Sequence, residues 1–339
     1  MSKRPRLTPA MADVRRAIRD AWDLVGLAKG STVAVACSGG ADSLALASAA
    51  LFEGNRAELK VVAVIVNHNL QEGSKDVALR TKGVLTELGY EVVEAMDVVV
   101  QQNSLGMEAA ARNARYEALS DFALRHNAVF TMLGHTLDDQ AETVLLGLAR
   151  GSGAKSMAGM PTLSADGNYL RPLLKITRNE TVSYCDDLGL KYWSDPQNLD
   201  TKFSRVRARL KVLPVLEEEL GPGIAQALSR TAEILQDDIS YLETQADQAF
   251  KEVAKTTNNS VLIDVAGFEK LPKALANRVI HKSLSLMGAE PAKVQIDAVL
   301  DLVNNWHGQK PLSLPSVRVE RKGKEIILKS TKTMKPGAC

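Results

Sequence analysis

From Val33 to Cys37 the chain is continuously apolar, and from Asp42 onward Leu44, Leu46, Ala47, Ala50 and Leu51 recur at helical spacing. An unbroken apolar run of this length fits a buried strand, and the second pattern fits a helix. Between them Gly39 and Gly40 allow a tight turn, and Asp42 reads as the helix N-cap. The same alternation continues. Residues 59–66 read as a second strand, 76–88 as a helix, "YEVVEAMDVVV" as a third strand, 107–126 as a helix, 128–133 as a fourth strand and 139–150 as a helix. Strands and helices in strict alternation predict an α/β fold with a doubly wound, mostly parallel sheet, which binds ligands at the carboxyl ends of its strands. Loops 38–43, 67–74 and 134–139 all leave such ends and are expected to meet in one crevice.

Beyond residue 150 the pattern changes. Residues 151–167 carry Gly, Ser and Pro and interrupt the alternation. "RPLLKITRNETVSYCDDLGL" then resumes with an extended piece and a helix. A polar loop leads into a basic helix over 202–211, and residues 222–253 keep helical spacing long enough for a linking helix. After it come a short strand at 260–265, two helices and a hairpin around Lys322 and Gly323. The expected organisation is a catalytic domain over 1–215 with an N-terminal helix in 1–29, and a linking helix over 216–255. A smaller C-terminal domain, α+β or mostly helical, follows over 256–330, with a tail over 331–339.

The 339 residues carry a net charge of +2, but the charge is segregated. Residues 30–150 hold nine basic against fifteen acidic side chains, whereas residues 202–211 hold five basic and no acidic ones. An acidic block flanked by basic stretches suits a catalytic domain beside surfaces for a polyanion. No apolar run approaches the roughly 18 residues of a membrane span, and the basic N-terminus lacks a secretory apolar region. Three distant cysteines make neither a disulfide framework nor a zinc motif, so a reducing cytoplasm is expected.

Two stretches carry chemistry. In "CSGGADS" a strand, a glycine turn and a helix N-terminus make an anion site from free backbone N–H groups. No lysine follows the glycines, as it would in a Walker loop. Asp42 stands there instead, and a carboxylate beside a polyphosphate calls for a divalent cation, Mg²⁺, between them. In "LGHTLDDQAETVLLGLARGSG", His135 follows a strand end while Asp138, Asp139 and Glu142 cluster at the next helix's start. Acids there also suit the helix dipole. Together with His135 and Gln140 they exceed what capping requires, and could bind a metal, orient an amine or take its proton. Arg112 and Arg115 share one helix face. In a phosphate crevice they would stabilise developing negative charge, and elsewhere they are ordinary surface charges.

"SGGADS" resembles the pyrophosphate loop of the N-type ATP pyrophosphatases. "GMEAAARNARYEAL", "GHTLDDQAETVLLGLARGSG", "RPLL" and "DPQNLDTKFSRVRARLKVLPVL" resemble, in order, the signatures of the tRNA(Ile)-lysidine synthetase family. The resemblance covers about residues 30–215. It implies ATP bound through Ser38, Gly39, Gly40, Ala41, Asp42, Ser43 and Gly134, with Mg²⁺ at Asp42. It implies adenylation of carbon 2 of the wobble cytidine in an isoleucine tRNA with a CAU anticodon, then displacement of AMP by free L-lysine. Asp42 and Asp139 would hold the lysine ammonium, and His135, Arg115 and Arg205 the adenylated intermediate. Arg207, Arg209 and Lys211 would meet tRNA phosphate, the small C-terminal domain over 256–330 would hold more distant parts of the tRNA, and a homodimer is left open.

This chain departs from the family at Asn69, Gln71 and Val206, where glycine, arginine and asparagine are usual; His68 is kept. A tRNA thiolase of the same superfamily is the alternative, but such enzymes need cysteines to carry sulfur, and only Cys37 lies beside the loop. A non-catalytic nucleic-acid-binding module would not need the acidic cluster, and aromatics make up only 4% of the chain.

Overall fold

The computed structural model describes residues 7–67, 73–98, 107–151 and 153–331. The loop carrying His68, Asn69 and Gln71, and the tail after 331, lie outside them. The chain divides into two units, Met1–Gln236 and Asp237–Cys339. The division falls inside the long helix.

In the first unit the order is α1 (Pro9–Val25), β1 (Thr32–Ala36), α2 (Ala41–Ala57), β2 (Lys60–Asn67), α3 (Ser74–Leu88), β3 (Val93–Asp97), α4 (Met107–Arg125), β4 (Ala128–Met132) and α5 (Leu137–Arg150). Then come α6 (Ala154–Met157), β5 (Tyr169–Leu170), α7 (Arg178–Asp187), α8 (Ser204–Arg207), a π-helical turn (Ala208–Val212), α9 (Leu213–Leu220) and the start of α10 (Ile224–Val253). The five strands pair in parallel in the order β3-β2-β1-β4-β5. Side chains alternate across the sheet, so β1 sends Val33 and Val35 into one core with α1, α2 and α7. Ala34 and Ala36 enter a second core with Leu119 and Phe122 of α4. Both faces are covered, which is why the strands are apolar throughout. Strand order reverses between β1 and β4, and a crevice opens beyond their carboxyl ends at that point.

The π-helical turn has a local cause. Pro214 has no N–H to donate to the preceding turn, and the Leu213 N–H reaches back five residues to the Ala208 carbonyl.

The second unit holds the rest of α10, β6 (Ala254–Thr257), β7 (Ser260–Asp264), α11 (Val265–Phe268), α12 (Lys273–Leu286), α13 (Lys293–Asn304), β8 (Leu312–Leu314), β9 (Val317–Lys322) and β10 (Glu325–Ser330). Its strands form an antiparallel sheet ordered β6-β7-β10-β9-β8. Val261, Ile263, Val317, Val319, Ile326 and Leu328 line the inner face and pack against α10, α12 and α13. Among the described residues no helix is long and apolar enough to cross a membrane.

Candidate active site

The turn after β1 is built to leave backbone donors open. Gly40, not Asp42, is the N-cap of α2, and no side chain caps that helix. Its first N–H groups therefore face the crevice with the positive end of the helix dipole behind them. Ser43 Oγ accepts from the Ser38 N–H at 3.1 Å and donates to the Gly40 carbonyl at 2.9 Å, closing the loop on itself. Gly39 sits at φ +87°, and a Cβ there would collide with the Thr81 hydroxyl of α3. At Gly134, after β4, a Cβ would come within 3.1 Å of the Asp42 carbonyl oxygen. The two loops thus touch backbone to backbone. The Trp193 N–H donates to the Gly39 carbonyl at 2.9 Å, so the segment after α7 closes the third side.

The resulting cleft encloses about 790 Å³. Ser38, Gly40, Ala41, Asp42, Ser43, Arg115, Gly134, His135, Asp139, Arg205 and Arg209 all line it. So does Arg178, the first residue of α7, which the sequence reading passed over. Its Nε lies 3.2 Å from Asp42 Oδ2, its Nη2 lies 3.2 Å from Asp139 Oδ1, and its Nη1 lies 3.8 Å from Glu142. Its backbone N–H donates to Asp138 at 2.8 Å, so Asp138 serves the N-terminus of α7. A cation in a helix's first turn runs against the dipole. At Arg178 three carboxylates outweigh that cost, and that mismatch was the signal available in "TRNE".

Asp139 has two tasks. Its Oδ2 accepts from the Thr136 N–H at 2.9 Å and the Thr136 hydroxyl at 3.1 Å, closing the capping box of α5, while Oδ1 faces Arg178. Burial alone would raise its pKa, but Arg178, the Thr136 N–H and His135 hold it below the usual carboxylate value. Asp42 moves the other way. Burial raises it even though Arg178 and the Thr181 hydroxyl, which donates to Oδ1, both favour the charge. Glu142 is fully buried and raised by burial, with Arg209 opposing the rise from 2.6 Å. His135 is depressed to about 4 by burial, with Arg115, Arg171 and Arg205 adding repulsion and Asp139 opposing. It is neutral at physiological pH, and its buried Nδ1 has no partner among the described residues. Burial likewise pulls the Arg115 guanidinium down, and no carboxylate pairs with it among the described residues.

Several sequence assignments change place. Gln140 is a structural clip: its amide accepts from the Met160 N–H at 2.7 Å and donates to the Met160 carbonyl at 2.8 Å. Arg112 is exposed against Tyr116, and only Arg115 of that pair reaches the cleft. Arg209, expected to meet tRNA phosphate, lines the cleft and is engaged by Glu142 through Nε and Nη2. Its i, i+4 relation to Arg205, which lies 3.4 Å from Glu142, is the spacing that foretells a shared face. Arg207 and Lys211 are exposed, Arg207 bracing the carbonyls of Thr201 and Lys202. Val206 is buried.

Residues 12–216 match the family model described as a PP-loop domain, and residues 263–323 match that of a TilS substrate binding domain. The tRNA(Ile)-lysidine synthase of Thermobifida fusca is 45% identical over 317 residues, covering 93% of this chain and 95% of that protein. The enzyme of that name from Leifsonia xyli is 47% identical over 297 residues, covering 87% and 89%. Among solved structures, a U34-tRNA thiolase from Methanococcus maripaludis aligns with a TM-score of 0.54 at 22% identity, covering 67% of this chain and 80% of its own. At that identity the likeness speaks for the fold alone.

Proposed function

The chain belongs to the tRNA(Ile)-lysidine synthase family, and on that premise we propose that it joins free L-lysine to carbon 2 of the wobble cytidine of an isoleucine tRNA with a CAU anticodon. In the first step the oxygen on carbon 2 attacks the α-phosphorus of ATP and pyrophosphate leaves. In the second the lysine ε-amine attacks carbon 2, loses a proton, and AMP departs. The observation that carries this reading is one cleft holding both an uncapped helix N-terminus and a set of buried carboxylates. The first suits a polyphosphate and the second an ammonium ion.

The open N–H groups of α2, with Ser38 and Ser43, are assigned to the ATP phosphates. Arg115 and Arg205 border the same space and suit negative charge developing as phosphorus is attacked. Neutral His135, with its pKa near 4, is too weak a base to take a proton from an ammonium, and it is assigned to orient the adenylated base by hydrogen bonding. Asp139 is assigned to the incoming amine.

Asp42 fits a Mg²⁺ that rides with the nucleotide. Each of its oxygens accepts one protein hydrogen bond and keeps further lone pairs, and its burial is not fully offset by Arg178. Bound Mg²⁺ would screen the repulsion between that carboxylate and the phosphates. A reducing cytoplasm is the setting this reading expects.

Incubation with ATP, bulk tRNA and labelled lysine should yield labelled tRNA, AMP and pyrophosphate. ADP as the main product would overturn the assignment. Transfer of labelled sulfur instead would point to the thiolase chemistry.

A further inference from the structure

A second cavity, of about 690 Å³, lies beside the phosphate turn, between α3 and the segment that follows α7. That volume falls within the roughly 300–1,000 Å³ of small-molecule sites. Gly39 lines this cavity whereas Gly40 lines the reaction cleft, and Tyr192 and Trp193 line both. The hydrogen bond from the Trp193 N–H to the Gly39 carbonyl therefore belongs to the wall that the two spaces share.

Glycine inside a helix costs stability relative to alanine, and three stand inside helices of the first unit. Packing accounts for two of them. A Cβ at Gly54 of α2 would collide with Val61, and one at Gly147 of α5 with the Ser156 carbonyl. At Gly83 of α3 a Cβ would meet no atom of the chain within 4 Å, and Gly83 lines the cavity. What glycine keeps clear there is room for an occupant against bare helix backbone.

The lining says what that occupant is. Leu44, Val77, Val84, Leu88 and Leu190 make apolar walls, and Tyr192 and Trp193 add aromatic rings. Arg80 and Lys191 are the cations, both exposed, and Glu87 is the one acid. Among the described residues neither cation makes an ion pair, and Arg80 Nε reaches only the Asp76 carbonyl of its own helix at 3.3 Å. Free phosphate would leave the apolar walls uncovered, and an amine would meet the excess of positive charge. An organic anion with an apolar body satisfies both.

We propose that this cavity is a second ligand site, for a small organic anion whose ring or alkyl body lies against Gly83 and Leu44 while its anionic group meets Arg80 and Lys191. It is separate from the reaction cleft and touches the phosphate turn through Gly39.

The test titrates the full chain with 1-anilinonaphthalene-8-sulfonate, an aromatic sulfonate that brightens on leaving water. Saturating ATP with Mg²⁺ keeps the reaction cleft filled. One saturable site is expected, with energy transfer from tryptophan that Trp193→Phe largely removes. Gly83→Leu puts a side chain into the cavity and should weaken binding by on the order of tenfold or more. Arg80→Gln with Lys191→Gln should weaken it by on the order of tenfold and remove most of its salt dependence. Gly83→Ala should raise the melting temperature, because no packing contact calls for glycine there. Lysidine formation without the probe should be unchanged in Gly83→Leu. A wild type with no saturable binding beside ATP, or a folded Gly83→Leu that binds as tightly as the wild type, refutes the site. Should Gly83→Leu not fold, the exposed charge pair decides alone, and an affinity unchanged by its loss refutes an anion site. Loss of lysidine formation in folded Gly83→Leu would make the cavity part of the reaction site and overturn its separateness.

Discussion

Replacing Arg178 by Gln removes a guanidinium that lies 3.2 Å from Asp42, 3.2 Å from Asp139 and 3.8 Å from Glu142. Deleting one member of a buried ionic network costs about 3–5 kcal/mol, because the partners stay buried without their counter-ion. The Arg178 side chain is 26% exposed, and Asp139 keeps its two bonds from Thr136. The expected loss therefore falls at or just below the lower bound, about 2–3 kcal/mol at pH 7, which lowers the melting temperature by about 5–10 °C.

The loss must also depend on pH. Asp139 has a folded pKa below its ordinary 3.8, so its contribution is present above that value and disappears as pH falls through the folded one. Without Arg178 that folded pKa rises, and Asp42, already raised by burial, rises further. As pH falls, the carboxyls of the variant therefore take up protons before those of the wild type, and once protonated they no longer need a counter-ion. Urea unfolding in the presence of a chelator should therefore show a gap between wild type and variant that is full at pH 7 and narrows as the carboxyls titrate in the acid range. Arg178→Lys, which keeps the charge but not the fork, should lie between the two. A gap that is absent at pH 7, or constant as the carboxyls titrate, would refute the idea that Arg178 acts as the counter-ion of these carboxylates.

Asp139→Asn should slow lysine transfer by on the order of a hundredfold while affecting tRNA adenylation less, since Asn can still accept from the Thr136 N–H. Single-turnover assays with and without lysine separate the two steps, and equal loss in both would place Asp139 with the nucleotide. His135, depressed to about 4, should make the wild type lose stability as pH falls from 6.5 toward 4, by up to ~3 kcal/mol. His135→Gln should flatten that slope in pH-dependent denaturation. Gly147→Ala puts a Cβ 2.7 Å from the Ser156 carbonyl carbon, so α6 must shift away from α5, and thermal melts should register a cost of about 1–3 kcal/mol.

What could be read in advance was whatever depends on neighbours in sequence. The parallel sheet, the helix spans and the meeting of the loops after β1 and β4 follow from apolar periodicity, because both faces of the sheet are buried. Asp42 was misjudged as a cap because side-chain capping is the ordinary rule. At this helix Gly40 takes the position and no side chain satisfies the N–H groups, which are left for a ligand. Gln140 looked chemical because its partner, Met160, lies 20 residues away in an irregular loop. Arg178 stayed hidden because its contacts lie 36 to 136 residues away and come from two separate motifs.

The charges of the cleft form two regions with different demands. Asp42, Asp139 and Glu142 face Arg178, Arg205 and Arg209, three anions against three cations, so this corner is already balanced. Arg115, on the same cleft, has no carboxylate partner among the described residues and is buried enough to feel the want of one. A phosphate arriving beside Arg115 meets a charge with nothing to give up. An ammonium arriving at Asp139 must instead compete with Arg178, and adding a further cation to a balanced cluster gains little unless a guanidinium turns away. The same competition gives the amine step a dependence that adenylation lacks. Arg178→Lys weakens the bidentate hold on Asp42 and Asp139, so it should lower the lysine concentration needed for half-maximal transfer relative to that for ATP. Steady-state titration of each substrate measures the two separately. A parallel rise in both would mean that Arg178 holds the cleft together without contesting the amine.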